Sequence, residues 1–419
     1  MLRLSALAPF RHRSFRFQWP ADLMTSWAFE METLILGWYV LVETNSVLLL
    51  TLYGALLYVG TLIAPVLGMI SDRIGHRRLL SGMRAIYAAV AGTLTILTLA
   101  GLLNPAIVLS LATVAGIVRP SDMGLRGALI ADTMPADQLT AALGIGRTTA
   151  DTARIAGALT GAGLFALLGM GPAYVAITAF YAAGSFLTWQ TRPLRAIAAP
   201  AAPAAVEPSM LSSPWRDLRE GMVYIWNTPR LLALLWFAFL ANFAVFPLTN
   251  GLLPYVAREI YRIDQTGLGY LIASVAFGAL VGSLAMTRSG IRVGLPRLMF
   301  VSAVAWHLMV LSFAQMRDLP GGVITLFVCG VAQSMTMVPH TVLLLRASEE
   351  RFRGRVMGVR MLAIYSLPLG LLLSGTLIPL IGFHATASLY ALLGLAFTVV
   401  IAVKWRAALW QANSAQDRV

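Results

Sequence analysis

The 419-residue sequence has few charged residues, a single cysteine and a single lysine. Charged residues make up 12% of the chain and hydrophobic residues 58%, and the mean hydropathy is +0.77. That much apolar surface exceeds what a water-soluble domain can bury, so the composition indicates a membrane protein. The one cysteine, Cys329, lies in an apolar run, which excludes a disulfide framework and a cysteine-based metal site.

Motifs for nucleotide hydrolysis, metal binding and nucleophilic catalysis are also missing. No Gly-x-x-x-x-Gly-Lys sequence occurs, and Lys404 is the single lysine, so ATP hydrolysis is not expected. The five histidines are scattered over both halves without i, i+4 spacing, which supports neither a zinc site nor a histidine-based triad. We therefore expect no enzymatic activity, no metal and no cofactor.

Long apolar stretches dominate the chain instead. A helix needs about 20 mostly apolar residues to cross a bilayer core. About twelve such stretches occur, at 17–42, 47–70, 79–103, 105–128, 139–169, 172–190, 231–254, 268–287, 298–315, 322–345, 356–381 and 385–403. They predict helices, because a helix leaves no backbone group unpaired in lipid and the stretches lack the alternation of barrel strands.

The predicted spans divide six and six around a stretch rich in alanine and proline, from Pro193 to Pro214. We predict an N-terminal six-helix bundle over 1–192 and a C-terminal bundle with a short tail over 229–419. Between them, 193–228 is predicted to be a cytoplasmic linker with a short amphipathic segment. The fold class is therefore an all-α membrane protein of two bundles.

Small residues recur in the two halves at one offset. Gly116 and Gly330 lie 214 positions apart (330−116), as do Gly144 and Gly358 (358−144). Paired halves of this kind are a known transporter arrangement, in which substrate binds near the bilayer midplane where the halves meet.

The net charge of +13 comes from arginines that fall in alternate gaps between the predicted spans. The Arg-rich gaps all lie on one side of the membrane if both termini are cytoplasmic. This pattern is unlike the basic folded face of a nucleic-acid binder, so no nucleic-acid partner is expected. Anionic lipid headgroups are the expected partners of these arginines.

A charged loop follows the second predicted span and reads Gly68-x-x-x-Asp72-Arg73-x-Gly75-x-Arg77-Arg78. Glycine allows close helix approach and a tight turn, Asp72 can face an arginine or a helix N-terminus, and the arginines can anchor at headgroups. A solvated basic loop would explain the arginines alone. It does not explain the two glycines and the aspartate together.

This loop resembles the signature loop of the major facilitator superfamily in spacing, position and topology. Within that superfamily the chain resembles the bacterial efflux branch of enterobactin-exporter-like and transmembrane-secretion-effector proteins. The likeness is carried by the loop, by Gly37-Trp38, and by Asp122-x-x-x-Arg126 with Asp132-x-x-Pro135. One departure is Ala158, which stands where antiporters of the family typically carry proline.

The resemblance implies a monomeric, multi-pass protein of the bacterial inner membrane with about twelve helices. It implies export of a small drug-like or siderophore-like solute by alternating access, driven by the proton gradient, with the loop motif as part of a cytoplasmic latch. Two alternatives stay open. One is an uncoupled facilitator or importer of the same fold, and the other is a membrane receptor that has lost transport.

Acidic residues within the predicted spans occur in the first half alone. Ionisable groups there cost roughly 2.5–3.5 kcal/mol on insertion scales, so they are functional candidates. A polar or small stripe at steps of three and four runs along the first span through Asp22, Ser26, Glu30, Thr33 and Gly37. We therefore prefer Glu30 over Glu32 as the proton-linked residue, since Glu32 lies about 200° away around the helix. For Asp22, simple solvation at the interface is an equal alternative.

Two predicted spans carry an acid between two bases on one face. The fourth span has Arg119, Asp122 and Arg126, and the fifth has Arg147, Asp151 and Arg154. One interpretation is self-neutralising salt bridges that join the two helices. The other is a gate or an anion-attracting site, since each set has one unpaired positive charge. Asp122 and Asp151 are further candidates for proton coupling.

Candidate substrate contacts complete the predicted site. Thr33 belongs to the polar stripe of the first span, and Asn242 and Thr249 lie one heptad apart in the seventh. For Asn242 and Thr249, an interhelical hydrogen bond is an equal alternative.

Overall fold

A computed structural model describes residues 7–192, 214–288, 294–349 and 352–410. A few side chains within these ranges, including that of Asp72, are not described. The described residues are almost entirely helical and contain no strand. The predicted linker residues 193–213 lie outside the described residues.

The chain folds as two compact units. Unit 1 comprises Met1–Thr44 and Leu56–Leu211, and unit 2 comprises Asn45–Ala55 and Ser212–Val419. The segment Asn45–Ala55 thus groups with the second unit, whereas the sequence-based division assigns it to the N-terminal bundle. Each unit is described separately below.

The first helix of unit 1, α1, is followed by α2, of which all but the final residue belongs to unit 2. Their bounds are α1 (Arg13–Thr44) and α2 (Val47–Leu56). Unit 1 continues with α3 (Ala64–Ile74), α4 (His76–Leu99), α5 (Pro105–Thr133), α6 (Ala136–Leu168) and α7 (Met170–Trp189). Short 3-10 segments occur at Ala8–Arg11 and Val59–Ile63.

Unit 2 consists of helices of very different lengths. They are α8 (Pro214–Trp226), α9 (Pro229–Ala244), α10 (Leu253–Tyr255), α11 (Gln265–Arg288), α12 (Leu295–Gln315), α13 (Leu319–Ala347), α14 (Arg353–Ala363), α15 (Ser366–Ile381), α16 (Phe383–Lys404) and α17 (Arg406–Trp410). Two π-helical segments, Pro247–Gly251 and Val256–Ile260, flank α10.

Three predicted spans are interrupted rather than continuous. The span predicted over 47–70 breaks between α2 and α3, and that over 231–254 ends as α9 before Pro247. The span over 356–381 breaks between α14 and α15, and α15 begins two residues before Pro368. Proline alone does not account for these breaks, since helices continue through Pro20, Pro120, Pro339 and Pro379.

Within the described ranges, nine helical spans are long and apolar enough to cross a membrane. Helices α1 and α6, of 32 and 33 residues, are longer still but carry charged side chains along their length. These features confirm the prediction of an all-helical, multi-pass membrane protein.

A glycine in each unit allows two backbones to touch. A Cβ at Gly116 of α5 would lie 2.0 Å from the carbonyl oxygen of Leu56, and a Cβ at Gly330 of α13 would lie 2.1 Å from that of Val275. No residue with a side chain fits such a contact, which is typical of close helix packing in membranes. The repeat of 214 residues between these glycines (330−116) therefore places a close helix contact at the same position of both units, although the partner carbonyls lie 219 residues apart (275−56).

Candidate functional site

Four charged side chains from three helices of unit 1 meet in what we call the charge cluster. Asp22 comes from α1, Arg84 from α4, and Asp122 and Arg126 from α5. Arg84 is fully buried, and Asp122 and Asp22 are 2% and 7% exposed. Two arginines and two aspartates balance one another, as burial of charge in an apolar bundle requires. Solvation of Asp22 at the interface, one of the two interpretations of this residue, is therefore wrong.

Each arginine of the cluster faces both aspartates. Arg84 Nη2 contacts Asp22 Oδ1, and Arg126 Nε contacts Asp122 Oδ2. Longer contacts join Arg84 Nε to Asp122 Oδ1 at 3.7 Å and Arg126 Nε to Asp22 Oδ1 at 3.9 Å. Each carboxylate therefore has one arginine in close contact and the other within 4 Å.

Neutral groups add hydrogen bonds to the charge cluster. Arg84 Nη1 donates to Thr188 Oγ1 of α7 at 2.5 Å, and Arg126 Nη1 donates to Ser26 Oγ of α1 at 2.5 Å. Gln18 Nε2 of α1 donates to the carbonyl oxygen of Arg126 at 3.2 Å. The network therefore ties α1, α4, α5 and α7 together at one level of unit 1.

Arg119 extends the positive charge along α5. Its Nη2 donates to Thr33 Oγ1 at 3.1 Å, and its guanidinium lies 4.5 Å from the centroid of the Phe29 ring. Arg126 lies 5.9 Å from the same centroid. Because the face of an aromatic ring attracts cations, Phe29 holds two guanidinium groups near each other that would otherwise repel. Thr33, a predicted substrate contact, is engaged here by an arginine.

Three aromatic rings pack beside the charge cluster. The centroid of Phe29 lies 4.9 Å from that of Tyr87 and 5.5 Å from that of Tyr181, and the two tyrosine centroids are 5.4 Å apart. The Tyr181 hydroxyl donates to Glu32 Oε2 at 2.7 Å, and Glu32 is 7% exposed. Glu32 is thus held toward α7 by a neutral phenol.

Glu30 lies on a different side of α1, where α6 packs. A Cβ at Gly157 of α6 would lie only 2.7 Å from Glu30 Cβ, so the two helices are in close contact there. The positive charges of Arg154 and Arg119 attract the carboxylate of Glu30. Arg154 lies one turn before Gly157. The prediction that Glu30 and Glu32 occupy different faces is confirmed.

In the second acid-and-base set, Asp151 pairs with Arg147 of its own helix. Arg147 Nε lies 3.3 Å from Asp151 Oδ2, and the Arg147 side chain is 73% exposed. Asp122 pairs with Arg126 of its own helix and with Arg84 of α4. Both acids pair with a base of their own helix, as the self-neutralising interpretation predicts, but these salt bridges do not join the fourth and fifth spans to each other. The buried Arg84 gives Asp122 a partner on α4 instead.

The loop motif turns at Gly75, between α3 and α4. Its φ of 89° falls in the left-handed region that favours glycine, which confirms the predicted tight turn. The predicted close approach at Gly68 is wrong, since no described atom lies within 4 Å of a Cβ built there. Arg73 and Arg78 are exposed, and the Asp72 side chain lies outside the described part of the chain.

Residues just after the turn contact the ends of neighbouring helices. His76 Nδ1 lies 2.7 Å from Asp132 Oδ2, near the end of α5. Arg77 Nη1 donates to the Thr191 carbonyl at 3.0 Å, and its guanidinium lies 5.3 Å from the Trp189 ring centroid. The loop motif thus links the start of α4 with the ends of α5 and α7.

The two candidate contacts of unit 2 bond to their own segments. Asn242 Nδ2 donates to the Ala238 carbonyl at 2.9 Å, and Thr249 Oγ1 donates to the Val245 carbonyl at 3.3 Å. Thr249 is 1% exposed. Each hydrogen bond connects residues four positions apart in one segment and joins no other helix. The interhelical hydrogen bond considered for Asn242 and Thr249 is therefore not formed within the described part of the chain.

Arg84 is the member of the charge cluster that the sequence analysis missed. Attention to acids inside the predicted spans overlooked this arginine, which stands five residues into the apolar stretch 79–103. An isolated cation at that depth is as costly as an isolated acid, so the signal was present. Its partners on α1, α5 and α7 are far apart in sequence and depend on how the helices pack.

The helical units and their buried charges define the class: a membrane protein with the fold of major facilitator transporters. The nucleoside transporter NupG is similar with a TM-score of 0.70 at 15% identity, over 94% of this chain and 99% of that one. The POT family transporter PepTSo is similar with a TM-score of 0.74 at 11% identity, over 95% of this chain and 99% of that one. Identities this low establish the fold alone.

Residues 4–418 match the transmembrane secretion effector family, and the chain belongs to that family. This confirms the resemblance inferred from the loop motif. The multidrug efflux pump Tap of Mycobacterium tuberculosis is 29% identical over 171 residues, 40% of each chain. Tap of Mycolicibacterium fortuitum is 26% identical over 168 residues, 40% of this chain and 41% of the relative. The matches thus span about two fifths of these relatives' length.

Proposed function

We propose that the protein is a secondary active transporter that exports a small drug-like or siderophore-like solute by alternating access. The family supports this proposal, and the partial similarity to the efflux pump Tap points in the same direction. The chain crosses the bacterial inner membrane about twelve times as a monomer, in two six-helix bundles with both termini cytoplasmic. Anionic lipids contact its cytoplasmic arginines.

The charge cluster is the observation that carries the proposal. Replacing a buried ion pair by apolar residues of similar volume is often neutral or stabilising, so packing alone does not require the four charges. Ionisable residues inside membrane bundles mark substrate and ion pathways. Since Asp22 and Asp122 each face Arg84 and Arg126, the cluster offers α1, α4 and α5 two salt-bridge arrangements. Alternating access needs an element with two such states.

Proton coupling is assigned first to Glu30. The positive charges of Arg154 and Arg119 attract this carboxylate. Gain or loss of a proton on Glu30 therefore changes the balance of charge between α1, α5 and α6. Asp122 is the next candidate, but it must first release Arg126. Asp151, paired with the exposed Arg147, is the third.

The loop motif acts as the cytoplasmic latch. His76 with Asp132, and Arg77 with the Thr191 carbonyl, hold the ends of α4, α5 and α7 in one arrangement. Asp72 belongs to the same latch on the strength of the family motif. Exchange of these contacts accompanies the change between inward-open and outward-open states.

Counterflow in proteoliposomes tests the proposal, using siderophores, dyes and sugars with and without a pH gradient. We expect a dye or a siderophore to be transported in the parent protein and accelerated by the gradient. Glu30→Gln is expected to lose the acceleration and keep counterflow. Glu32→Gln is the matched control, because glutamine still accepts the Tyr181 hydrogen bond.

The outcomes separate the alternatives. Transport that ignores the gradient in the parent protein would favour an uncoupled facilitator. Transport of none of the probes by folded protein would contradict the proposed export. If gradient-dependent transport persists in Glu30→Gln, the proton-coupling role would be assigned to Asp122 instead.

A further inference from the structure

A cavity of about 340 Å³ opens in unit 1 where α1, α4 and α6 end. Its lining includes Trp38, Tyr39, Glu43, Thr98, Phe165 and Met170. The volume falls within the range of small-molecule pockets, roughly 300–1,000 Å³. Because α4 begins at the loop motif and ends here, the cavity lies at the opposite end of unit 1 from that loop. No part of the proposed transport mechanism uses it.

Glu43 is the single charged side chain in the segments that form this end of unit 1. No other Asp, Glu, Lys or Arg occurs in 34–44, 85–118 or 155–191. The carboxylate of Glu43 is exposed and has no basic partner within these segments. Glu43 is therefore the one charged side chain in the described lining of the cavity.

Helix ends strengthen this negative field. Helices α1, α4 and α6 end at Thr44, Leu99 and Leu168, and none has a basic residue in its last turn. A helix C-terminus carries roughly half a negative elementary charge. The N-termini of α5 and α7 also lie here, but Asn104 caps that of α5 by accepting from the Ile107 N–H at 2.9 Å. The three C-termini thus add to the negative charge of Glu43.

Aromatic side chains form a wall of the cavity. Trp38 and Tyr39 come from α1, and Phe165 comes from α6. The Tyr39 hydroxyl donates to the Leu103 carbonyl at 3.1 Å, which fixes the position of its ring. Among the described ring contacts, none joins these three side chains to one another. They line the cavity without filling it by mutual stacking.

We propose that this cavity binds an organic cation of quaternary-ammonium size. Aromatic faces attract such cations, and an adjacent carboxylate supplies the countercharge. An anion would be repelled by Glu43, and a divalent metal ion requires several oxygen ligands where the wall offers rings. The proposal concerns binding at this end of unit 1 and holds whether or not the chain exports a solute.

Calorimetry on the full chain in an uncharged maltoside detergent tests the proposal, with choline as the probe. Its neutral isostere, dimethylbutanol, has the same shape without the charge. We expect saturable binding of choline and binding of the isostere weaker by about 2- to 30-fold, the range of cation–π attraction. Glycerophosphocholine identifies the source: weaker binding than choline indicates a free cation, and tighter binding indicates a lipid headgroup.

Two variants and a control locate the site. Glu43→Gln is expected to weaken choline binding by about 2- to 5-fold, as for a solvent-exposed ion pair. Trp38→Leu is expected to weaken it by about 2- to 30-fold, whereas Trp38→Phe retains a ring and most of the affinity. Asp137→Asn, at the start of α6 and therefore at the other end of the unit, leaves affinity unchanged.

Circular dichroism and a thermal melt verify that each variant is folded before titration. Equal binding of choline and the isostere by the folded parent would overturn the proposal, as would an absence of saturable choline binding. Parental affinity in both Glu43→Gln and Trp38→Leu would also overturn it, because the cation would then bind elsewhere.

Discussion

The two units carry different polar groups at equivalent positions. Asp122 and Arg126 of α5 in unit 1 correspond, 214 residues on (336−122 and 340−126), to Thr336 and His340 of α13 in unit 2. In unit 1 these positions form ion pairs with α1 and α4. In unit 2, His340 Nε2 donates to the Leu234 carbonyl of α9 at 2.9 Å. A neutral hydrogen bond thus joins helices in unit 2 where charges join them in unit 1.

The difference extends to the whole buried interior. Unit 1 buries Asp22, Glu32, Arg84 and Asp122, whereas no Asp, Glu, Arg or Lys is buried among the described residues of unit 2. Unit 2 therefore demonstrates that a helical unit of this chain can pack around neutral polar groups alone. Among the described residues, buried Asp, Glu and Arg occur in unit 1 alone, which is why we propose the coupling and switching steps for that unit.

The largest expected effect follows from removing Arg84. Arg84→Met leaves Asp22 and Asp122 with one cation between them, and breaking a buried pair in this way costs about 3–5 kcal/mol. Thermal unfolding of the purified variant measures the loss. Adding Asp22→Asn restores the charge balance, so the double variant is expected to recover part of the stability.

Leu298→Met is the matched control for that series, since Leu298 occupies the equivalent position in unit 2 (298−84 is again 214). A volume-conserving apolar exchange costs less than about 1.5 kcal/mol. If Arg84→Met were no less stable than Leu298→Met, the charge cluster would not be the tightly coupled set that its contacts indicate.

Substituting the paired glycines is expected to have a smaller effect, similar in the two units. Gly116→Ala and Gly330→Ala each place a Cβ within 2.1 Å of a carbonyl oxygen, and overpacking of this kind costs about 1–3 kcal/mol. Thermal unfolding is again the measurement. Gly144→Ala is the control, because nothing lies within 4 Å of its Cβ. If only one of the two substitutions lowered the thermal stability, the two helix contacts would not be equivalent.

Breaking the His76–Asp132 contact of the latch is expected to have the smallest effect on the free energy of unfolding. His76 and Asp132 form a partly exposed pair, with side chains 28% and 39% exposed, so Asp132→Asn costs under about 1 kcal/mol. The same substitution, like Asp72→Asn, is expected to slow transport at unchanged expression. Counterflow rates measure this. Parental rates in both variants would remove the loop motif from the mechanism.

Helical periodicity predicted the faces of the site well. It separated Glu30 from Glu32 and aligned Asp22 with Thr33, because a single helix fixes angles between its own residues. It did not predict which neighbouring helix each face meets. Asp122 pairs with Arg84, on a different helix, and that choice depends on how four helices pack.

The helix breaks could not be predicted from proline alone. Pro247 and Pro368 stand near two interruptions, but Pro20, Pro120, Pro339 and Pro379 lie inside continuous helices. The assignment of Asn45–Ala55 to unit 2 could not be predicted either, because it depends on contacts distant in sequence. Sequence reasoning therefore recovers the elements and their charged faces, and the structure supplies their partners.

The central claim is that the charges of unit 1 serve transport rather than packing. Asp122→Thr combined with Arg126→His gives α5 the residues of α13 and leaves the Asp22–Arg84 pair intact. Counterflow of a transported dye, measured on this double variant at matched protein content, tests the claim directly. We predict a folded protein with near-parental thermal stability and no transport. Parental transport by the neutralised protein would contradict the account.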